Sequence, residues 1–204
     1  MPNLFDAIKN RRSIRKYQAH PVAKALIQEI LSEASWAPSA HNAQPWRFIV
    51  LSEDSSKRGL AEVMAKSWAE DLTKDEQKID DEMFQSRVER FATAPVLILA
   101  CLTMENMTPQ PDQRRQNVER DLAMQSIGAS MQNLLLTAHE KGLGACWFCA
   151  PAFCKETVKK YLEIPKEVEP QALIAIGYPA EKPEASLRKG FDEVCFKDKW
   201  GCTF

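Results

Sequence analysis

Residues 11–17 read RRSIRKY and place four cations among seven residues, although the whole chain has a formal net charge of only −1. In an extended strand, side chains alternate between two faces, so Arg11, Ser13 and Arg15 share one face. Ile14 on the other face would anchor the strand in the core. Two guanidinium groups and a hydroxyl suit a phosphate ligand. This segment alone leaves a solvated surface strand equally open.

The composition is that of an ordinary globular protein. The chain has 204 residues, 45% of them hydrophobic and 27% charged, which indicates a single domain. Lysine and arginine number 27 against 28 acidic residues, so no overall field attracts nucleic acid or an anionic membrane. The longest apolar run, 94–101, is far below the span of about 20 residues that a membrane helix needs, and the start lacks a signal-peptide core. We expect a cytoplasmic protein.

Strand and helix patterns alternate along the chain. Strands are predicted at 46–52, 94–102, 144–150 and 171–179, where β-branched, aromatic or continuous apolar residues occur. Helical patterns fill the intervals, at 21–38, 57–90, 112–141 and 155–162. The alternation predicts an α/β or α+β sheet covered by helices.

Capping signals mark several helix starts. Asn3 is a predicted N-cap for a first short helix, with Asp6 in its first turn. Thr73 and Glu76 have the spacing of a capping box before a later helix. Asp112 is placed to cap the longest one.

The segment 112–141 has the longest helical period and predicts a helix roughly 45 Å long. Small residues at its middle, Gly128, Ala129 and Ser130, would let another helix approach closely. It is either a central helix that also serves a subunit contact or a long surface helix. Its predicted apolar stripe consists of Val118, Leu122, Ile127, Met131, Leu134, Leu135 and Ala138.

The turn at 38–46, PSAHNAQPW, concentrates polar groups between a helix and a strand. Ser39 contributes a hydroxyl, His41 an imidazole, and Asn42 and Gln44 carboxamides. Carboxamides both donate and accept, as reading the edge of a heterocycle requires. The composition favours a ligand-binding turn over a structured loop.

Six cysteines are expected as reduced thiols, because nothing indicates a disulfide scaffold. Cys146 and Cys149, with Cys154, have a spacing that a redox dithiol or an iron–sulfur cluster could use. Strand alternation would turn the first two to opposite faces, which favours buried structural thiols. The three histidines are too scattered for a zinc site, and no metal site is predicted. The three-glycine fingerprint of dinucleotide-binding folds is absent.

Four motifs occur in order along the chain: Arg11-x-Ser13-x-Arg15, Pro38-Ser39-x-x-Asn42-x-Gln44-Pro45-Trp46, Gly142-Leu143-Gly144-x-Cys146-Trp147, and Ala175-Ile176-Gly177-Tyr178-Pro179. Together they resemble the nitroreductase family of FMN oxidoreductases over residues 7–188. The stretch 109–133 is further similar to the reductase domain of deazaflavin-coenzyme biosynthesis proteins.

The resemblance implies a nitroreductase-like α+β fold, with a mixed, mostly antiparallel sheet covered by helices and a long central helix. One domain would span 1–204, with a C-terminal extension at 189–204. The domain would be completed by dimerisation, with two FMN molecules at the interface of a homodimer. The aromatic tail is expected to pack on this subunit or on its neighbour through Phe191, Phe196, Trp200 and Phe204.

The resemblance also assigns FMN contacts to residues of both subunits. The phosphate and ribityl side falls to Arg11, Arg12, Ser13 and Arg15, with Arg188 as a later cationic partner. The turn of the other subunit would contribute Pro38, Ser39 and Asn42, with Gln44 beside them. The isoalloxazine would be flanked by the backbone of Cys146, Trp147 and Phe148. Two features depart from the better-known branch: an Asn and Lys pair at the pyrimidine edge has no match, and the Cys-Trp-Phe-Cys stretch replaces an acidic-glycine pair.

The implied activity is hydride transfer from NADH or NADPH, or from a reduced deazaflavin, through FMN to an electron-poor acceptor by a ping-pong mechanism. Nitroaromatics, quinones and conjugated alkenes are the implied acceptors. No side chain is assigned as a catalytic acid or base; His41 is as consistent with a structural role. Two alternatives stay open: a flavin or deazaflavin carrier without turnover, and a thiol or iron–sulfur redox protein using Cys146, Cys149 and Cys154.

Overall fold

The computed structural model describes residues 4–204, so the predicted N-cap Asn3 lies outside the described residues. Asp6 lies in the first turn of the first helix, as predicted. The strands are β1 (Trp46–Leu51), β2 (Val96–Thr103), β3 (Gly144–Phe148) and β4 (Val168–Gly177). The helices are α1 (Leu4–Asn10), α2 (Lys24–Ala34), α3 (Asp54–Lys74), α4 (Asp81–Ala92), α5 (Gln113–Glu140), α6 (Ala150–Phe153), α7 (Lys155–Tyr161) and α8 (Phe191–Val194).

The four strands form one antiparallel sheet in the order β1-β2-β4-β3. Every residue of the central strand β2 is buried, which explains its uninterrupted apolar sequence. Helices cover both faces of the sheet, so the predicted α+β architecture is confirmed.

Strand alternation sends side chains into two separate cores. On one face, Ile98 and Ile174 pack in a cluster with Leu134 of α5. On the other face, Leu97 and Leu173 belong to a second cluster, whose other members come mainly from α3, α4 and α7. The end of β3 therefore contacts helices on either side of the sheet.

The segment 11–17 lies along the open edge of β3. Ser13 forms an isolated parallel bridge with Ala145, and the backbone N–H of Ile14 donates to the Ala145 carbonyl at 3.0 Å. Tyr17 bridges to Pro179 further on. The segment is extended as predicted, but it is paired at two points rather than along a continuous ladder. The Ile14 side chain is buried, which confirms its predicted role as the anchor.

The long helix α5 matches its prediction in length and cap. Asp112 accepts a hydrogen bond from the backbone N–H of Arg115 at 2.9 Å. The predicted close approach at the small residues is confirmed, because the Ser130 hydroxyl donates to the Ala34 carbonyl of α2 at 2.9 Å. Val118 is wrongly placed on the apolar stripe: it is 49% exposed, since the buried face passes through Glu119 instead.

Two local predictions are wrong. Thr73 lies in the last turn of α3, where its hydroxyl donates to the Ala69 carbonyl, and Asp80 caps α4 by accepting from the N–H of Met83. Helix α3 ends at Lys74, so the supposed capping box lies at the end of one helix and not at the start of the next. Cys149 lies beyond the end of β3 and is exposed, so strand alternation does not bury it.

The aromatic tail does not join either core of this subunit. Trp200 is 89% exposed, and Phe191 and Phe204 are exposed as well. The tail rings contact one another in pairs, Phe191 with Phe204 and Phe196 with Trp200, at centroid distances of 5.5 and 4.7 Å. Packing on this subunit is therefore contradicted. In the described part of the chain, no helix combines the length and the apolar character needed to cross a membrane.

Gly144→Ala is expected to push the segment 11–17 away from the edge of β3. A Cβ at Gly144 would lie 2.7 Å from the Cβ of Ile14, so the two strands must move apart. We expect a loss of about 1–3 kcal/mol in the free energy of unfolding, measured by urea denaturation. The matched control is Gly128→Ala in α5. Its Cβ would meet only the Trp147 ring, at 4.0 Å, so the free energy of unfolding should stay the same or rise. A Gly144→Ala variant as stable as the wild type would contradict the close packing.

Candidate functional site

A cavity of about 440 Å³ opens where the segment 11–17 meets the start of β3 and the last turns of α5. Its walls include Arg11, Arg12 and His139, and Lys182 adds a further cation. Glu181 is the acidic side chain of the lining. The cavity is predominantly basic and suits an anionic ligand.

Three predicted residues of the segment act on the Cys146 thiol. Burial raises the pKa of Cys146, while Arg15, a hydrogen bond to the Ser13 side chain, and Arg11 each lower it. Arg11 lines the cavity together with Arg12 and Ile14, whereas Ser13 and Arg15 are not among its lining residues. The shared face of Arg11, Ser13 and Arg15 therefore stays a prediction.

The cations of this cluster lack carboxylate partners among the described residues. Burial lowers the pKa of Arg11, and the nearby charges of Arg12 and Arg188 lower it further. Glu181 forms no ion pair with these guanidinium groups: its carboxylate accepts from the backbone N–H groups of Arg15 and Lys16, at 2.6 and 3.1 Å. A bound phosphate would relieve the repulsion among these cations.

Arg12 lies in the same cavity but is oriented differently. Its Nη1 donates to the carbonyls of Lys9 and Arg11, at 2.7 and 2.8 Å. Its Nε is buried without an acceptor. The Nε1 of Trp147 is also buried without an acceptor. Among all buried side-chain nitrogen and oxygen atoms of residues 4–204, these two nitrogens are the ones without a hydrogen-bond partner. Such atoms are rare in native proteins unless a ligand or another chain supplies the partner.

The outer edge of β3 is free beyond Ala145. The segment 11–17 bridges to β3 only at Ala145, and Glu181 then receives the N–H groups of Arg15 and Lys16. Within the described chain, the edge formed by Cys146–Phe148 has no strand on its outer side. A planar ligand lying along this edge would meet backbone donors and acceptors.

The backbone of the turn at 38–45 is strained at three residues, as is common in ligand-binding turns. His41, Asn42 and Gln44 all adopt left-handed backbone conformations, with φ of 57°, 51° and 47°. Such conformations cost on the order of 1 kcal/mol each for residues with a Cβ and persist where the surroundings enforce them. The Ser39 hydroxyl accepts from the N–H of Gln44 at 3.0 Å, and Ser126 of α5 accepts from that of Ala40 at 3.2 Å.

Glu119 of α5 is a buried acidic residue beside the turn that sequence reasoning missed. It is only 6% exposed, and its carboxylate is shared by His41 at 3.2 Å and by Gln110 at 3.0 Å. The sequence did contain a sign of this burial: Glu119 precedes Ala123 by four positions, so it falls on the buried face of α5. Glu119 holds His41, which supports a structural role for that imidazole. The carboxamides of Asn42 and Gln44 are exposed and form no hydrogen bond with other described residues.

One chain does not bring the turn and the cations together. The turn contacts α5 at Glu119 and Ser126, whereas the cationic cavity is lined by Leu135 and His139. Ser126 and Leu135 alone are separated by about 14 Å of helix. The predicted turn residues Pro38, Ser39, Asn42 and Gln44 therefore lie outside the cavity formed by this chain.

The cysteines do not form a cluster site. Cys146 and Cys154 are buried and Cys149 is exposed. Within residues 4–204, no three His, Cys, Asp or Glu side chains are grouped as metal ligands would be. This geometry counts against the iron–sulfur alternative.

The chain is similar in sequence and in fold to several known proteins. The sequence profile of the nitroreductase family matches residues 8–178. A Methanothermobacter thermautotrophicus protein, provisionally named NADH dehydrogenase/NAD(P)H nitroreductase, is 33% identical over 201 residues, covering 97% of this chain and 88% of its own. The NADH dehydrogenase of Thermus thermophilus is 30% identical over 212 residues, covering 92% of each. A BluB-like flavoprotein from Clostridium difficile 630 superimposes with a TM-score of 0.81 at 26% identity, covering 98% of this chain and 100% of the other.

Thiol reactivity should separate the exposed cysteines from the buried ones. Burial raises the pKa of Cys146 and Cys154, and raises that of Cys101 to about 12, so their thiolates are scarce near pH 7. Exposed Cys149 and Cys202 should react fast with Ellman's reagent in the native protein. Cys149→Ser should lower the number of fast-reacting thiols per chain by one, while Cys146→Ser, the matched control, should leave that number unchanged. Fast modification of Cys146 would contradict its burial.

Proposed function

The chain belongs to the nitroreductase family, and we propose that it is an FMN-dependent enzyme that passes hydride from NADH or NADPH through FMN to an electron-poor acceptor, in a ping-pong sequence. Nitroaromatics, quinones and conjugated alkenes are the proposed acceptors. The names of the Methanothermobacter and Thermus relatives support a nicotinamide donor, and the BluB-like neighbour supports a flavin.

The observation that carries the proposal is the unpaired charge beside β3. Arg12 and Arg188 repel Arg11 electrostatically, none of these three guanidinium groups forms an ion pair with a carboxylate of the described residues, and the Nε of Arg12 is buried and unpaired. This donor set fits a phosphate monoester, because guanidinium groups bind phosphate oxygens through paired, charge-assisted hydrogen bonds. Ser13 would add a hydroxyl donor.

The remaining contacts to FMN would come from the edge of β3. The backbone of Cys146, Trp147 and Phe148 would flank the isoalloxazine, with the core of α5 behind Trp147. When bound, FMN would supply the two-electron chemistry, and the protein would position it and exclude competing reactions. The structure offers no carboxylate or imidazole in this stretch as a proton donor, so solvent is the proposed source of protons.

We further propose that the working form is a homodimer. The turn at 38–45 lies away from the cations of its own chain, and a second copy would bring Ser39, Asn42 and Gln44 to the same cofactor. Apolar residues are available for such a contact on α1, after α2, and along the tail, including the extension at 189–204. The exposed ones are Leu4, Phe5, Ile8, Trp36, Leu187, Phe191, Val194, Trp200 and Phe204.

Two measurements on the purified protein test the enzyme hypothesis: identification of the released chromophore and the rate of NADPH or NADH oxidation. The purified protein should release FMN and should oxidise NADPH or NADH faster when menadione is added. A carrier would release flavin but show no turnover, which would overturn the enzymatic part. Replacing Cys146, Cys149 and Cys154 together by Ala should leave FMN bound, whereas the thiol alternative requires that activity disappear.

Arg15→Ala should weaken FMN binding without unfolding the protein. Loss of one charge-assisted contact corresponds to about 1.5–3 kcal/mol in binding free energy, measured by flavin fluorescence titration. Lys16→Ala is the matched control: it removes a neighbouring exposed cation that alternation directs away from the cluster, and its backbone N–H still donates to Glu181. Equal losses in the two variants would show only a general charge effect and would contradict a phosphate site at Arg15.

A further inference from the structure

A second pocket, of about 340 Å³, lies between α3, α4 and α6 on the other face of the sheet. Its walls are largely aromatic: Trp68 from α3, Phe91 from α4 and Phe153 from α6. Phe153 is 84% exposed and stands at the surface, where a buried position would be normal for a phenyl ring. The volume suits a ligand of one or two rings, at the small end of ligand pockets.

This aromatic pocket contains a guanidinium group that the protein itself does not neutralise. Arg87 lies with its guanidinium carbon 4.5 Å from the centroid of the Trp68 ring. No carboxylate or carbonyl oxygen of residues 4–204 accepts a hydrogen bond from it. By contrast, four other arginines of the described residues form ion pairs with carboxylates: Arg47, Arg58, Arg115 and Arg120.

Partial burial makes the lack of a partner costly. Burial lowers the pKa of Arg87, and the neighbouring charge of Arg90 lowers it further. The cation–π contact with Trp68 offsets part of this cost and leaves the in-plane N–H donors of the guanidinium free. A planar anion could occupy those donors through a bidentate pair.

Two acidic residues, Asp71 and Asp75, also line the pocket. Asp71 is exposed and forms a surface ion pair with Lys74 Nζ at 2.9 Å. Asp75 is exposed beyond the end of α3. Neither pairs with Arg87 in the described chain, so both leave its donors available.

The pocket adjoins the stretch to which the proposed function assigns the flavin ring. Ala150 lines it and directly follows Cys149, and Phe91 packs edge-to-face on Phe148 at 5.1 Å. A ligand in the pocket would therefore lie near the end of β3.

We propose that this pocket recognises the acceptor, and that the acceptor is a planar aromatic molecule bearing a carboxylate. The inference rests on the proposed function and narrows its substrate class. The carboxylate pairs with the free donors of Arg87, while the ring packs among Trp68, Phe91 and Phe153.

The test compares 4-nitrobenzoate with the neutral 4-nitrobenzamide on the purified, flavin-loaded protein without a nicotinamide donor. Isothermal titration calorimetry should show the carboxylate binding about tenfold more tightly or better, since a charge-assisted pair is lost with the amide. Arg87→Gln should remove this preference. Arg90→Gln, which removes an exposed cation of the same helix outside the pocket lining, should retain it. Phe153→Ala should weaken both probes by a similar factor.

Equal affinities in the wild type, or a preference that survives Arg87→Gln, would overturn the inference. Because Arg87→Gln could also disturb the fold, a crystal soaked with 4-nitrobenzoate gives an independent measurement: the carboxylate should lie within hydrogen-bond distance of Arg87, and density elsewhere would refute the assignment. The two proposals fail separately. A protein that binds FMN and reduces neutral menadione but shows no carboxylate preference keeps its function and loses this acceptor class, whereas a protein without FMN loses the function itself.

Discussion

The contact between Ile14 and Gly144 determines where the charges of this protein lie. A side chain at Gly144 would overlap Ile14, so only glycine lets the segment 11–17 bridge to the outer edge of β3. The buried Ile14 holds the segment against β3, and it lines the basic cavity together with Arg11 and Arg12. A single apolar anchor thus fixes where these two guanidinium groups lie.

Holding like charges together without counterions is unfavourable unless a ligand compensates. Arg11 is partly desolvated among Arg12 and Arg188, and the Nε of Arg12 is buried without an acceptor. The fold keeps these donors in place through backbone contacts, including the acceptance of two N–H groups by Glu181. An anion that binds here would not have to order the site first, which reduces the entropic cost of binding.

The sequence was sufficient for features that depend on local pattern. The four strands, the cap of α5 at Asp112 and the anchor Ile14 follow from periodicity and residue type. Features that depend on how distant elements meet could not be read in this way. Glu119 looks like a surface residue until the turn with His41 lies over it, and the unpaired state of Arg87 is visible only when α3 and α4 are placed side by side. The position of the aromatic tail could not be predicted for the same reason: its sequence indicates burial but does not show which surface it packs against.

Strand β3 connects the two unpaired guanidinium sites. It begins at Gly144 beside the Arg11 cluster and ends at Phe148 against Phe91, in the wall of the Arg87 pocket. Its five residues span roughly 13 Å from first to last Cα, a distance along which one extended ligand can lie. An anionic group held at one end of this strand and a planar ring at the other would place the ring beside the aromatic pocket. Under the proposed function, a cofactor phosphate bound at the first end would fix how far its ring extends along β3. That distance would decide whether a molecule held by Arg87 is close enough to react.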